Sequence, residues 1–287
     1  MAASHGARVK VAQAALAAVA LAAAVGGESS VGRALTEGGK QASMQSVSEQ
    51  SMSQQSTSGQ SVSQQRMVPT AASRSAVRPA LVADLPQAQR AELLALPARL
   101  APDGAGIDVG YPDAPLTLTL FEDFRCSVSA AFEFTQGATL ADLATRHQVL
   151  LRYVMDSSLD RRLPGPGALL ATNAARSALA HGGFPLFHAL LFANQPSELV
   201  DGFTEPRLLE IASAVPGLRG PAFDAEVHGL WYRDWVARAQ QAYADAHVIN
   251  GTPSMLADGR TVDLGAHPEL VRSPAALRAF VQRGGVA

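Results

Sequence analysis

Cysteine is almost absent: Cys126 is the only one in 287 residues. A lone thiol excludes an intrachain disulfide framework, a cysteine-rich zinc site and a cysteine-ligated iron–sulfur cluster within one chain. Lysine is nearly as scarce, with Lys10 and Lys40 alone, and arginine supplies the other basic residues. The formal net charge of -2 speaks against a general nucleic-acid partner, because that work needs a concentrated basic surface. Also lacking are a phosphate-binding glycine loop, a serine nucleophile elbow, an H-E-x-x-H pair and a calcium loop. No cofactor and no metal site is therefore expected. His181 and His188 stand seven apart, but the Gly182-Gly183 break between them argues against a shared ion. What the chain does have is apolar material. Hydrophobic residues make up 47% against 17% charged, enough for a sizeable core in one or two domains.

No apolar run reaches the roughly 20 residues that a membrane-spanning helix wants. The nearest is Val11 to Val25, broken by Gln13 and preceded by Arg8 and Lys10. It leads into Ala22-Ala23-Ala24 and Ala24-Val25-Gly26, each resembling a small-x-small cleavage site. Residues 1–27 are expected to be a signal peptide or an N-terminal anchor. The rest of the chain is then exported: secreted, or held at the outer face of the cytoplasmic membrane. From 28 to 80 the composition collapses into Ser, Gln, Gly and Ala, and four S-x-S-x-Q pentapeptides run in tandem from Ser46 to Gln65. Too few apolar side chains are present to offset the entropy of ordering, so this stretch reads as a disordered linker. Residues 81–103 read as a short lead-in, with an amphipathic helix over Ala91 to Leu100.

Beyond Pro102 the periodicities sharpen. Ile107 to Tyr111 reads as a strand, and Leu116 to Phe121 alternates apolar residues with threonine, another strand pattern. A helix begins near Ser127, and Gln148 to Met155 is a second buried strand. Strand, helix, strand implies a βαβ unit on a parallel pair. A helical region follows over about 160–246. Ala168 to His181 forms one helix, Pro185 opens another, and Thr204 caps a third. Phe223, Val227, Leu230, Trp231, Trp235, Ala239 and Ala242 recur at the spacing of a fourth, which puts both tryptophans in the core. Strands return at Ser254 to Leu256 and Thr261 to Leu264. A last helix is capped by Ser273, with Pro274 in its first turn.

Cys126 leaves a buried strand and enters a helix. Unpaired backbone N–H groups at a helix N-terminus favour the thiolate, which is the nucleophilic form. The alternative is a small buried hydrophobe at a strand end. Asp123, three residues earlier, is either a partly buried carboxylate that tunes the thiol or a solvent-facing one.

The segment Phe121-Glu-Asp-Phe-Arg-Cys-Ser-Val-Ser-Ala-Ala-Phe132 resembles the active-site strand and helix of the DsbA-like branch of the thioredoxin-fold family, whose pattern is E-D-F-x-C-x-x-C-x-x-F. Phe184 to Pro196 is similar to that branch's helical-insert signature, which makes His188 a packing or surface residue. Val248-Ile-Asn-Gly-Thr-Pro-Ser-Met255 is similar to its V-x-G-T-P-[ST] segment. The resemblance implies an α/β thioredoxin-like fold over 104–287 with a helical insertion domain. It also implies a cis Thr252-Pro253 bond facing Cys126, and a substrate site at Thr252 and Pro253. The chain departs from the pattern at one place: Ser129 stands where the branch has its second cysteine. A serine oxygen cannot close the second sulfur–sulfur bond that resolves a mixed disulfide. Its hydroxyl is either placed to hydrogen-bond the Cys126 thiolate or is an inert replacement.

Two functions are compatible with these residues. One is monothiol exchange with a thiol- or disulfide-containing protein or a small thiol, giving isomerisation or mixed-disulfide reduction. The other is a thioredoxin-fold peptide-binding module without redox turnover. A single exported cysteine can also join two chains as a disulfide-linked dimer.

Overall fold

The computed structural model describes residues 82–249 and 251–286. The signal or anchor segment, the pentapeptide repeats and the rest of the 28–80 linker lie outside the described residues. Among the described residues no helix is long and apolar enough to cross a membrane.

Strands β1 (Ala98–Leu100), β2 (Ile107–Val109), β3 (Thr117–Glu122), β4 (Leu150–Met155), β5 (Ser254–Ala257) and β6 (Arg260–Val262) form one mixed sheet in the order β1-β2-β4-β3-β5-β6. β3 and β4 are parallel, Thr117 opposite Leu150 through Glu122 opposite Met155, and helix α2 (Ser127–Thr145) makes the crossover. This is the βαβ unit expected from the alternation along Leu116 to Phe121. Leu118 and Leu120 are fully buried, while Thr117 and Thr119 lie on the half-covered face. β5 pairs antiparallel with β3 on the other side, and β6 pairs antiparallel with β5.

Helices α3 (Gly167–Ala180), α4 (Phe184–Ala193), α5 (Glu205–Ala212), α6 (Pro221–His228) and α7 (Arg233–Asp245) are inserted between β4 and β5. Helices α8 (Pro268–Arg272) and α9 (Pro274–Gln282) close the chain, and the Ser273 hydroxyl caps α9 by accepting from the Ala276 N–H at 3.2 Å. Seven phenylalanines dominate the core: Phe124, Phe132, Phe184, Phe187, Phe203, Phe223 and Phe280. Each such burial stabilises the fold by roughly 1.5–3 kcal/mol before the entropy of ordering is counted. The result is an α/β thioredoxin-like fold carrying a helical insertion.

Three expectations need correction. The lead-in helix, α1, spans Gln87–Ala95 and not Ala91 to Leu100. Pro97 cannot continue a helix, and Ala98 to Leu100 instead pair with Val109 to Ile107 as an edge strand. The single helix read through Phe223 and Ala242 is two. It breaks at Gly229 to Tyr232, where Leu230 adopts φ 50° and the Trp231 N–H bonds back to the Glu226 carbonyl. The Asn173 side chain accepts from the Tyr232 N–H at 2.9 Å and fixes the start of α7. Trp235 is buried as expected, but the turn throws Trp231 outward, 67% exposed.

Candidate active site

β3 ends at Glu122, and the chain passes from strand to helix through Asp123-Phe124-Arg125-Cys126. Phe124 is driven fully into the core, and the Cys126 N–H closes the turn on the Asp123 carbonyl at 2.9 Å. Cys126 thereby becomes the residue that precedes the first turn of α2, with extended backbone angles of φ −73° and ψ 116°. Its side chain makes no capping bond. The helix start that follows the cysteine carries no acidic residue of its own in the first turn.

Sheet register brings up the opposing segment. Phe121 pairs with Ser254, so the residues just before Ser254 overhang the end of β3 where Cys126 sits. The Thr252-Pro253 bond is cis. The Cys126 thiol donates to the Thr252 carbonyl at 3.1 Å, and Cys126 is only 8% exposed. Cys126, Thr252 and Pro253 thus meet at one point, although they are 126 residues or more apart in sequence.

Ser129 lies in the same turn and is fully buried, but its hydroxyl makes no hydrogen bond among the described residues. Of the two readings of Ser129, the bond to sulfur is not made in this structure, where the thiol is turned toward Thr252. Asp123 is also fully buried and does not face solvent. Its carboxylate accepts from the Arg125 N–H at 2.8 Å and the Leu159 N–H at 3.3 Å. Burial raises its pKa to about 7 from 3.8, against the pull of the Arg125 N–H, and the neighbouring Asp156 and Asp160 push the same way as burial. Asp123 orders the turn before the cysteine; the structure gives it no contact with the sulfur.

That shift fixes a pH dependence. The unfolded chain releases this proton near pH 3.8 and the folded chain holds it to about pH 7, so in between the folded state binds more protons. This group's contribution to stability is therefore greatest below the lower value. It is lost, at no more than about 1.4 kcal/mol per pH unit, as pH climbs to the upper one. Burial raises Glu122 to about 8, and its contribution has the same sign. Urea midpoints should fall between pH 5 and pH 8, and Asp123→Asn should flatten that slope. Midpoints that rise with pH over this window would contradict the assignment.

Sequence reading missed the residues that hold the site in place. Arg125, beside the cysteine, is 1% exposed. Its guanidinium donates to Asp160 at 2.8 Å, to the Gly165 carbonyl at 3.1 Å and to the Glu198 carbonyl at 3.4 Å. Gln195 donates to the carbonyls of Phe124 and Cys126 at 2.7 and 3.0 Å, and the Ser127 hydroxyl donates to Glu198 at 2.8 Å. The insertion is thus clasped onto the strand-to-helix turn. Asp160 is part-exposed and keeps the Ala168 and Leu169 N–H groups, so Arg125→Met loses charge-assisted hydrogen bonds and should cost about 1.5–3 kcal/mol in equilibrium unfolding. A loss under about 0.5 kcal/mol, the range of an ordinary surface substitution, would show that the clasp carries no weight. Val128, Leu199 and Val200 stay exposed around this clasp as apolar rim. His188, by contrast, is buried and bonded to Glu122.

A family model described as Thioredoxin matches residues 103–280. Among solved structures, the reduced disulfide bond oxidoreductase DsbG from Mycobacterium tuberculosis is 23% identical with a TM-score of 0.52, covering 61% of this chain and 85% of its own. Reduced DsbA from Mycobacterium tuberculosis is 22% identical with a TM-score of 0.53, covering 62% of this chain and 91% of its own. MdbA, a thiol-disulfide oxidoreductase from Corynebacterium matruchotii, is 16% identical with a TM-score of 0.53 and covers 66% and 98%. At these identities the likeness is one of fold. No curated protein matches the chain.

Proposed function

The chain belongs to the thioredoxin family, on a DsbA-like fold, and from that premise we propose that it is an exported monothiol exchanger of disulfides. The observation that carries this reading is the meeting of the lone sulfur with the Thr252 carbonyl beside the cis Pro253, at the start of α2. The Cys126 thiolate attacks a client disulfide R–S–S–R′. A Cys126–S–S–R bond forms, and R′–S⁻ leaves. Ser129 cannot displace R, so an external thiol R″–SH attacks the mixed disulfide, releases Cys126 as thiolate and carries R away as R″–S–S–R. No electrons remain on the chain, which suits isomerisation or removal of a small-thiol adduct. The half-buried Thr252 and the buried Pro253 form one wall for an extended client segment. Export is supported by the charge and hydrophobicity pattern of residues 1–27. The same exchange chemistry allows two chains to join through Cys126.

A peptide-binding role without turnover is favoured by one observation, the exposed Val128, Leu199 and Val200 at the rim. The test is isomerisation of a protein with scrambled disulfides in the presence of a small thiol. Acceleration by the full chain supports exchange. Binding of the client with no acceleration supports the module.

A further inference from the structure

Behind the strand-to-helix turn lies a polar cluster that the thiol chemistry does not use. Glu122 closes β3, Glu133 sits in the second turn of α2, and His188 projects from the middle of α4. Each is more than nine-tenths buried. One carboxylate oxygen from each glutamate and one ring nitrogen of His188 lie within 4.8 Å of one another. His188 Nε2 is 2.9 Å from Glu122 Oε2. Glu122 Oε1 and Glu133 Oε1 are buried with no hydrogen-bond partner. No arginine pairs with either glutamate among the described residues. A cavity of about 20 Å³ opens against Glu133 and His188, with Gln89 and Tyr153 also in its wall.

Two carboxyl groups in an apolar interior, each with an oxygen that no donor reaches among the described residues, are costly unless protons neutralise them or a cation sits between them. We propose that Glu122, Glu133 and His188 form a binding site for a divalent transition-metal ion, zinc being the ion whose preferences they meet. Carboxylate oxygen and imidazole nitrogen are both zinc donors, at about 2.0–2.2 Å from the metal. Three donors are too few for calcium, which takes 6–8 oxygens. The two carboxylates balance the charge of the ion, and the cavity is large enough for one water as a fourth ligand. Binding exchanges protons held by the empty cluster for the ion and releases them to solvent, with no change of oxidation state. The ion would cross-link β3, α2 and α4. Sequence reading expected no metal here because the three residues come from separate elements and share no motif spacing.

The test uses the full chain carrying Cys126→Ala, which removes the thiol as a rival ligand and makes the result independent of the exchange reading. After treatment with chelator, zinc is titrated in competition with a chromophoric chelator, and the melting temperature is measured with and without zinc. One equivalent per chain is expected, with proton release and a raised melting temperature. Glu133→Gln and His188→Gln should each weaken binding by more than the roughly 10–100-fold that changing an outer-shell partner costs. If either variant fails to fold, the melting shift and proton release of the Cys126→Ala chain decide alone. Absence of a stoichiometric site, or binding that folded Glu133 and His188 variants retain, overturns the proposal and leaves a proton shared between the carboxyl groups as the occupant.

Discussion

Changing Cys126 to alanine should cut the isomerisation of a scrambled-disulfide client to the rate of the small thiol alone. The fold should survive it. The substitution deletes one thiol-to-carbonyl bond, to Thr252, at a residue already packed against the helix start. A neutral hydrogen bond of this kind contributes about 1 kcal/mol net. Activity and stability therefore separate: a near-complete loss of exchange with a melting transition moved by only a few degrees. If the alanine variant keeps the rate of the parent chain, the sulfur is not the reacting atom and the peptide-binding reading takes its place.

Ser129→Cys should do the opposite and convert a carrier of one thiol into a two-electron carrier. Position 129 is in the same helical turn as Cys126, fully buried, and its present hydroxyl has no hydrogen-bond partner to lose. A thiol is a better tenant of such a place than a hydroxyl, because it costs less to remove from water. Mild oxidation with a small disulfide should then draw two electrons and two protons from the pair and close a disulfide between Cys126 and the thiol introduced at position 129. Thiol counting in denaturant would find two groups in the reduced variant and none in the oxidised one. The variant should also oxidise a reduced client in equal amount, which the parent chain cannot do without a second thiol. Two free thiols persisting after oxidation would mean that the turn holds the sulfurs apart.

How much of this was legible in the sequence depends on the range of the interaction. Alternation along Leu116 to Phe121 and the helix start after Cys126 are local, so strand, helix and their parallel pairing could be read directly. The split between α6 and α7 could not, because the apolar spacing runs unbroken through Leu230 and Trp231. The chain leaves α6 at Gly229, and a long-range contact, Asn173 accepting from the Tyr232 N–H, sets where α7 begins. The meeting of Cys126 with Thr252 is longer still, and only the family resemblance pointed to it. Register then supplies its physical cause, since pairing Phe121 with Ser254 leaves nowhere else for Thr252 to go. Arg125 and Glu133 left a weaker signal. Glu133 falls on the face of α2 that carries Phe132, Gln136 and Leu140, an acidic residue on a buried stripe. Such a residue needs a polar partner, but the sequence does not say which partners it finds.

The most direct measurement is the intact mass of the folded chain after exposure to a small disulfide such as oxidised glutathione, followed by a small thiol. Exchange at Cys126 predicts a single mixed-disulfide adduct on the native protein, absent from Cys126→Ala, and fully removed by the thiol. A native chain that stays unmodified, and takes up the adduct only after unfolding, would contradict it.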